Sequence, residues 1–191
     1  MRIRSRVRDW HLPLSRDDQT LRQAHAQLAA LGATQKDIPF LVQLVENPKY
    51  DIPGFDLFHG ATDLVAHDRI HILLGRGLLA KDEAFVIGFT MGSTDRVGQT
   101  EERLYGLFAR YLYPREYRFS ESDLEVFRDA VRLGFVSDCT PLDTVDFEAL
   151  LDLPLRAARE SIGIEPDLLR AYYAIERRRY PDSFESQRLL A

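Results

Sequence analysis

The sequence predicts an all-α fold, a single-domain helical bundle arranged around a buried central helix. Apolar residues recur at three- and four-residue spacing in one segment after another. These segments open on Ser, Thr, Asp or Glu-Pro starts, and several close on glycine or before proline. No run of strict two-residue alternation bounded by hairpin turns occurs, so little β structure is expected.

Taken in order, Ser15-Arg16-Asp17-Asp18 is read as the cap of a first helix through Leu21, Ala24, Leu28 and Leu31, stopped by Gly32. Thr34-Gln35-Lys36-Asp37 starts a second, with Phe40, Leu41, Leu44 and Val45 as its buried stripe, ending before Pro48. Pro48, Asp51, Pro53, Gly54 and Asp56 make the next stretch a surface loop. A third helix is expected over 61–74, closed by Gly75-Arg76-Gly77. The stretch 82–94 is apolar nearly all round, through Phe85, Val86, Ile87, Phe89 and Met91, which marks the central helix. Gly88 and Gly92 would give that helix a bare side for close helix packing. Further helices are expected over 100–113, 120–137 and 166–180, with a shorter one over 155–162.

Composition sets the limits. The chain has 191 residues, 45% hydrophobic and 29% charged. That is enough for one continuous core and too apolar for a disordered chain. Residues 1–14 are read as a basic N-terminal arm and 15–191 as the helical domain. The arm begins Met1-Arg2-Ile3-Arg4 without a following apolar region, so no secretory signal is expected. Cys139 is the single cysteine, which excludes an internal disulfide or a thiolate zinc finger and makes a reducing, cytoplasmic location the expectation. The net charge of -5 argues against nucleic acid as a partner. No apolar stretch approaches the roughly 20 residues of a membrane span.

The chemistry concentrates in the third helix. At about 100° per residue, His67, Asp68 and His71 stand at about 0°, 100° and 40°, and all three are read as falling within one narrow arc. Two imidazoles one turn apart can chelate a single ion, the reason His at i and i+4 serves helical zinc sites. The chain then turns at Gly75 and Gly77 and re-enters the core with Glu83, which is either a solvated first-turn acid or a further ligand. A His-x-x-x-His pair on a helix is commonly just satisfied by its neighbours; Asp68 and Glu83 weigh toward a metal. Two histidines and two carboxylates suit Zn, Fe(II) or Mn on ligand type.

The pattern His67-Asp68-x-x-His71, eleven residues, then Glu83, resembles the signature of the coenzyme Q (ubiquinone) biosynthesis family built on its fourth protein. Thr144-Val145-Asp146-Phe147-Glu148, Pro154-Leu155-Arg156 and Ile162-Gly163-Ile164 are similar to that family's C-terminal pattern. The chain departs from its mitochondrial members just before the motif, with Asp63-Leu64-Val65-Ala66 where they carry basic and aromatic residues. The resemblance implies that His67, Asp68, His71 and Glu83 are zinc ligands in an all-helical protein enclosing a prenyl lipid. It further implies removal or oxidative replacement of the ring carboxylate of a prenylated hydroxybenzoate, with dioxygen as oxidant. Other quinone-biosynthesis proteins and a peripheral membrane contact would be its partners.

Two alternatives stand beside this reading. One is a non-catalytic, metal-stabilised prenyl-lipid binding or scaffold protein. The other is a His-Asp-class metal phosphohydrolase, with His25 as a further ligand. His59 is read as a surface-loop histidine, His11 and His25 as positions on the arm and first helix that need no function, and Arg177-Arg178-Arg179 as a solvated helix end favoured by its dipole.

Overall fold

A computed structural model of the chain describes residues 9–31, 64–94 and 119–191. Among them the fold is all-α: eight helices and a short 3-10 turn at Leu142–Thr144, with no strand. We label the helices α1 (Leu21–Ala30), α2 (Leu64–Leu74), α3 (Ala80–Ser93), α4 (Glu121–Val136), α5 (Phe147–Leu150), α6 (Leu155–Ser161), α7 (Pro166–Arg179) and α8 (Phe184–Arg188). The helices expected over 34–47 and 100–113, and the loop between 47 and 60, lie outside the described residues.

Several of the described helices have a local reason to begin where they do. Ser120 caps α4, its hydroxyl accepting from Asp123 N–H while the Asp123 carboxylate accepts from Ser120 N–H, a capping box with Asp in place of Glu. Pro166 occupies the first turn of α7, where its missing N–H costs nothing. Asp146 caps the short α5 through Glu148 and Ala149 N–H.

The cap of α1 differs from the sequence reading. It is Thr20, in a capping box with Gln23, and not the 15–18 segment. The preceding residues are held in a non-helical course by tertiary pairing. Leu155 and Arg156 donate backbone N–H to Gln19 and Asp17 carbonyls, and Leu21 and Arg22 donate to Leu153 and Leu151. With the Asp17 and Gln19 carbonyls taken by Arg156 and Leu155, the 15–18 segment has no carbonyls to spare for a helical turn, whereas the Leu21 and Arg22 N–H groups are first-turn donors with no partner inside the helix.

The central helix is as buried as its sequence suggests. Of α3's residues from Lys81 to Ser93, all but Thr90 are buried. It packs against α4 along a seam of glycines. A Cβ on Gly88 would stand 2.5 Å from the Phe127 carbonyl, and Gly92 and Gly134 meet the backbones of Val131 and Phe89 as closely. Close helix packing is therefore what Gly88 and Gly92 serve. Phe85 of α3 stacks on Phe89 and Tyr172 and meets Tyr173 edge-on.

Two residues of the N-terminal segment also belong to the core. Leu12 and Leu14 are buried, and the His11 ring nitrogen Nε2 lies 3.1 Å from the Gly75 carbonyl. The segment lies against the turn between α2 and α3, the two helices that carry the predicted ligands.

Candidate metal centre

The C-terminal end of α2 is buried, so its last carbonyls need partners other than water. Gly75 takes the left-handed conformation, φ 67°. It donates to Ile72 O at 3.2 Å, and Arg76 N–H donates to His71 O at 2.9 Å. This is the paired bonding of a Schellman turn. The Arg159 guanidinium, fully buried, donates to Leu73 O and Ile72 O, and the Tyr173 hydroxyl donates to Leu74 O. Every carbonyl of the last turn is thus satisfied. Arg159 places a cation at the negative end of the helix dipole.

The Schellman turn throws the chain back along α2, and the Gly77 carbonyl arrives 2.6 Å from His71 Nδ1. Three residues later α3 begins, with Glu83 in its first turn. The result is a buried group on two helices. His71 Nε2 lies 2.8 Å from His67 Nε2 and 3.3 Å from Glu83 Oε1, and His67 Nε2 lies 3.1 Å from Glu83 Oε2. These ligand atoms all lie within 4.8 Å of one another. All three residues are buried.

Counting protons tests whether a cation fits. With the Nδ1 proton of His71 given to Gly77 O, neutral His71 presents a lone pair at Nε2. His67 Nε2 then faces two acceptors, His71 Nε2 and the Glu83 carboxylate, with one N–H at most. The cluster holds more lone pairs than protons, the condition a metal ion relieves. Bonds of about 2.0–2.1 Å in tetrahedral geometry need ligand atoms about 3.3 Å apart, close to the spacings present. Without a metal, protonation of His71 is the remedy. Although burial opposes it, the Glu83 charge raises the His71 pKa. Burial likewise works against the Glu83 anion, yet His71 and His67 hold its carboxyl below the usual range.

Asp68, the fourth predicted ligand, does not share the arc expected for it: its 100° offset from His67 is wide enough to turn it toward α1. Its Oδ2 lies 3.9 Å from His25 Nε2 of α1, and both side chains are partly exposed. Its Oδ1 is buried without a hydrogen-bond partner. Burial raises the Asp68 pKa, against the pull of His71, His67 and His25. The structure thus brings His67, His71 and Glu83 together and sets Asp68 beside them, at the more open edge of the site.

His11 and the arginine run have plain places in the fold. His11 is held to Gly75 O; His59 lies outside the described residues. Arg179 pairs with Asp129 at 2.7 Å, and Arg178 Nε donates to Ala174 O. Two of the three arginines are therefore engaged within the chain.

Sequence reasoning missed the network behind the turn. Arg76 makes a forked pair with Glu176 at 3.1 and 2.5 Å. Its guanidinium lies in the angle between the Phe85 and Tyr173 rings, 3.8 and 4.3 Å from their centres. Asp82 is wholly buried; its Oδ1 lies 3.9 Å from Arg76, and its Oδ2 accepts from Leu79 N–H and is bonded to Arg188. The only sequence signal was charge, Arg76 and Asp82 beside apolar helices, without an indication of their partners.

Compared with protein-family models, with curated proteins and with solved structures, the chain matches none. Among the described residues, no helix is long and apolar enough to cross a membrane.

Proposed function

We propose that this chain is a zinc-binding helical protein of the ubiquinone-biosynthesis type, acting on a prenylated hydroxybenzoate precursor. The observation that carries the metal reading is the buried convergence of His67 Nε2, His71 Nε2 and the Glu83 carboxylate. Two imidazoles and a carboxylate are a donor set suited to zinc, with Fe(II) and Mn as alternatives. The substrate class rests on the resemblance of the His-Asp-x-x-His and Glu83 spacing to that family.

His67 and His71 would hold the metal through Nε2, and Glu83 through its carboxylate, which also balances the charge. Gly77 O keeps the His71 proton on Nδ1 and so keeps Nε2 free. Asp68 offers its unpartnered Oδ1 as a fourth ligand or as an orienting acceptor. When bound, zinc would supply Lewis acidity toward a ring carboxylate or phenolate. The partly exposed Asp68 and His25 edge is the side from which such a head group would approach.

Two observations favour other readings. Near-complete burial of His67, His71 and Glu83 suits a structural metal in a non-catalytic lipid-binding or scaffold protein. The approach of His25 to Asp68 is what a His-Asp-class phosphohydrolase would require.

Elemental analysis of the purified protein comes first, with one equivalent of metal expected. Metal-loaded protein is then incubated with a prenylated hydroxybenzoate under air, and loss of the carboxylate is followed by mass spectrometry. Binding without turnover would leave the scaffold reading; phosphate release from nucleotides with added Mn would replace both.

A further inference from the structure

Arg188 lies at the far end of the described chain from the ligand-bearing helix, yet its guanidinium is packed into the turn between α2 and α3. It bonds the Asp82 carboxylate, and Nη1 donates to the Asp9 carbonyl at 3.4 Å. It lies so close over Gly77 that a Cβ there would collide with it. Its side chain is largely buried. Gly77 supplies the carbonyl that orients His71, and Asp82 immediately precedes Glu83.

The same helix reaches the other end of the turn. The Ser186 hydroxyl donates to Glu176 Oε1 at 2.9 Å, and Glu176 holds Arg76. Through Ser186 and Glu176, α8 secures the residue where the turn begins. Through Arg188 it secures Asp82, whose Oδ2 also accepts from Leu79 N–H at the start of α3.

We infer that Arg188 is a positioning residue for the metal centre. It fixes the 75–82 turn so that the Gly77 carbonyl and the first turn of α3 present His71 and Glu83 to one ion. This role rests on the metal reading given above. The physical reason is preorganisation: ligands on two helices meet at one point only if the turn joining the helices has one conformation. Arg188 acts through geometry, since it touches none of the three ligand side chains in the contacts described.

The test is titration of the intact, metal-free chain with Co(II), reading affinity and the visible absorption of the bound ion. The proteins are wild type, Arg188→Ala, Arg188→Lys and, as control, Arg22→Ala, which removes an exposed pair with Asp152. Wild type and the Arg22 variant are expected to bind one equivalent with the same spectrum. Arg188→Ala should bind about 10–100-fold more weakly, the range for loss of a group that orients ligands, with an altered spectrum. Arg188→Lys keeps the charge but not the fork and should fall between, weaker than wild type. If Arg188→Ala binds with wild-type affinity and spectrum, whatever its melting temperature, Arg188 is a structural residue only. If that variant does not fold, Arg188→Lys decides, and wild-type behaviour there overturns the inference. If wild type itself binds no Co(II), the metal reading falls and the inference with it, an outcome distinct from the other two.

Discussion

Replacing Glu83 by glutamine exchanges one buried carboxylate oxygen for an amide of the same shape. The oxygens lie 3.1 and 3.3 Å from the two imidazole nitrogens, so the change strikes the centre of the group while leaving α3 its packing. Structural zinc sites are worth about 10–16 kcal/mol in all. Shared among four coordination positions, that is about 2.5–4 kcal/mol each, so affinity should fall about 100- to 1000-fold. At free metal a thousandfold above the wild-type Kd, linkage stabilises the wild type by about 4 kcal/mol and a thousandfold weaker variant by about 0.4 kcal/mol. For a domain of this size each kcal/mol moves Tm by about 2–4 °C. Added zinc should therefore raise the wild-type Tm by about 8–16 °C and that of the variant by about 1–2 °C. Thermal melts with and without metal, paired with elemental analysis, make the comparison. A variant that rises as far as the wild type would show that Glu83 is not a ligand. No rise in either protein would remove the metal altogether.

Four other expectations follow from the contacts described. In the metal-free protein, the Glu83 contribution to stability is complete above the ordinary value of 4.5 and lost as pH falls through its lowered pKa. The His71 contribution is complete below 6.5 and lost as pH rises through its raised pKa. Urea melts across pH should thus show this pair contributing most between about 4.5 and 6.5. Metal must displace the His71 proton, so calorimetry in two buffers of different ionisation enthalpy should report proton release on binding. Arg76→Met should cost about 3–5 kcal/mol by leaving Glu176 buried and unpaired. The double variant with Glu176→Gln should lose less than the sum of the singles, and additivity in denaturant titrations would count against the pair. Gly92→Ala should destabilise by about 1–3 kcal/mol despite a better helix former, because the backbone of Val131 leaves no room for a methyl group; unchanged stability would mean that the α3 and α4 seam can open at little cost.

Much of this fold could be read from residue order because its helices carry local signals. Gly75 ended α2, Ser120 opened α4 and Pro166 opened α7, each by chemistry confined to a few neighbours. The cap of α1 could not be found that way. Thr20 is the cap because residues 17–22 pair with residues 151–156, a contact more than a hundred positions away. The site divides along the same line. His67 and His71 share a helical face by periodicity alone, and Glu83 meets them through the turn that the glycines announced. Asp68 lies round the helix from them, toward His25, a relation set by how α1 lies against α2. The Gly77 carbonyl was invisible because a backbone atom leaves no trace in residue type. Arg76, Glu176 and Arg159 are charged residues whose partners are supplied only by the fold.

The glycine seam between α3 and α4 fixes how far α3 is rotated about its own axis. Gly88 and Gly92 must face the carbonyls of α4, for no other side of the helix tolerates so close an approach. A helix locked in azimuth at those positions is locked at Glu83 as well, one to three turns earlier along the same rigid rod. A slip of one residue would swing the carboxylate by about 100° and carry it away from both histidines. The bearing of an acid at one end of the helix is thus dictated by the absence of side chains further along it.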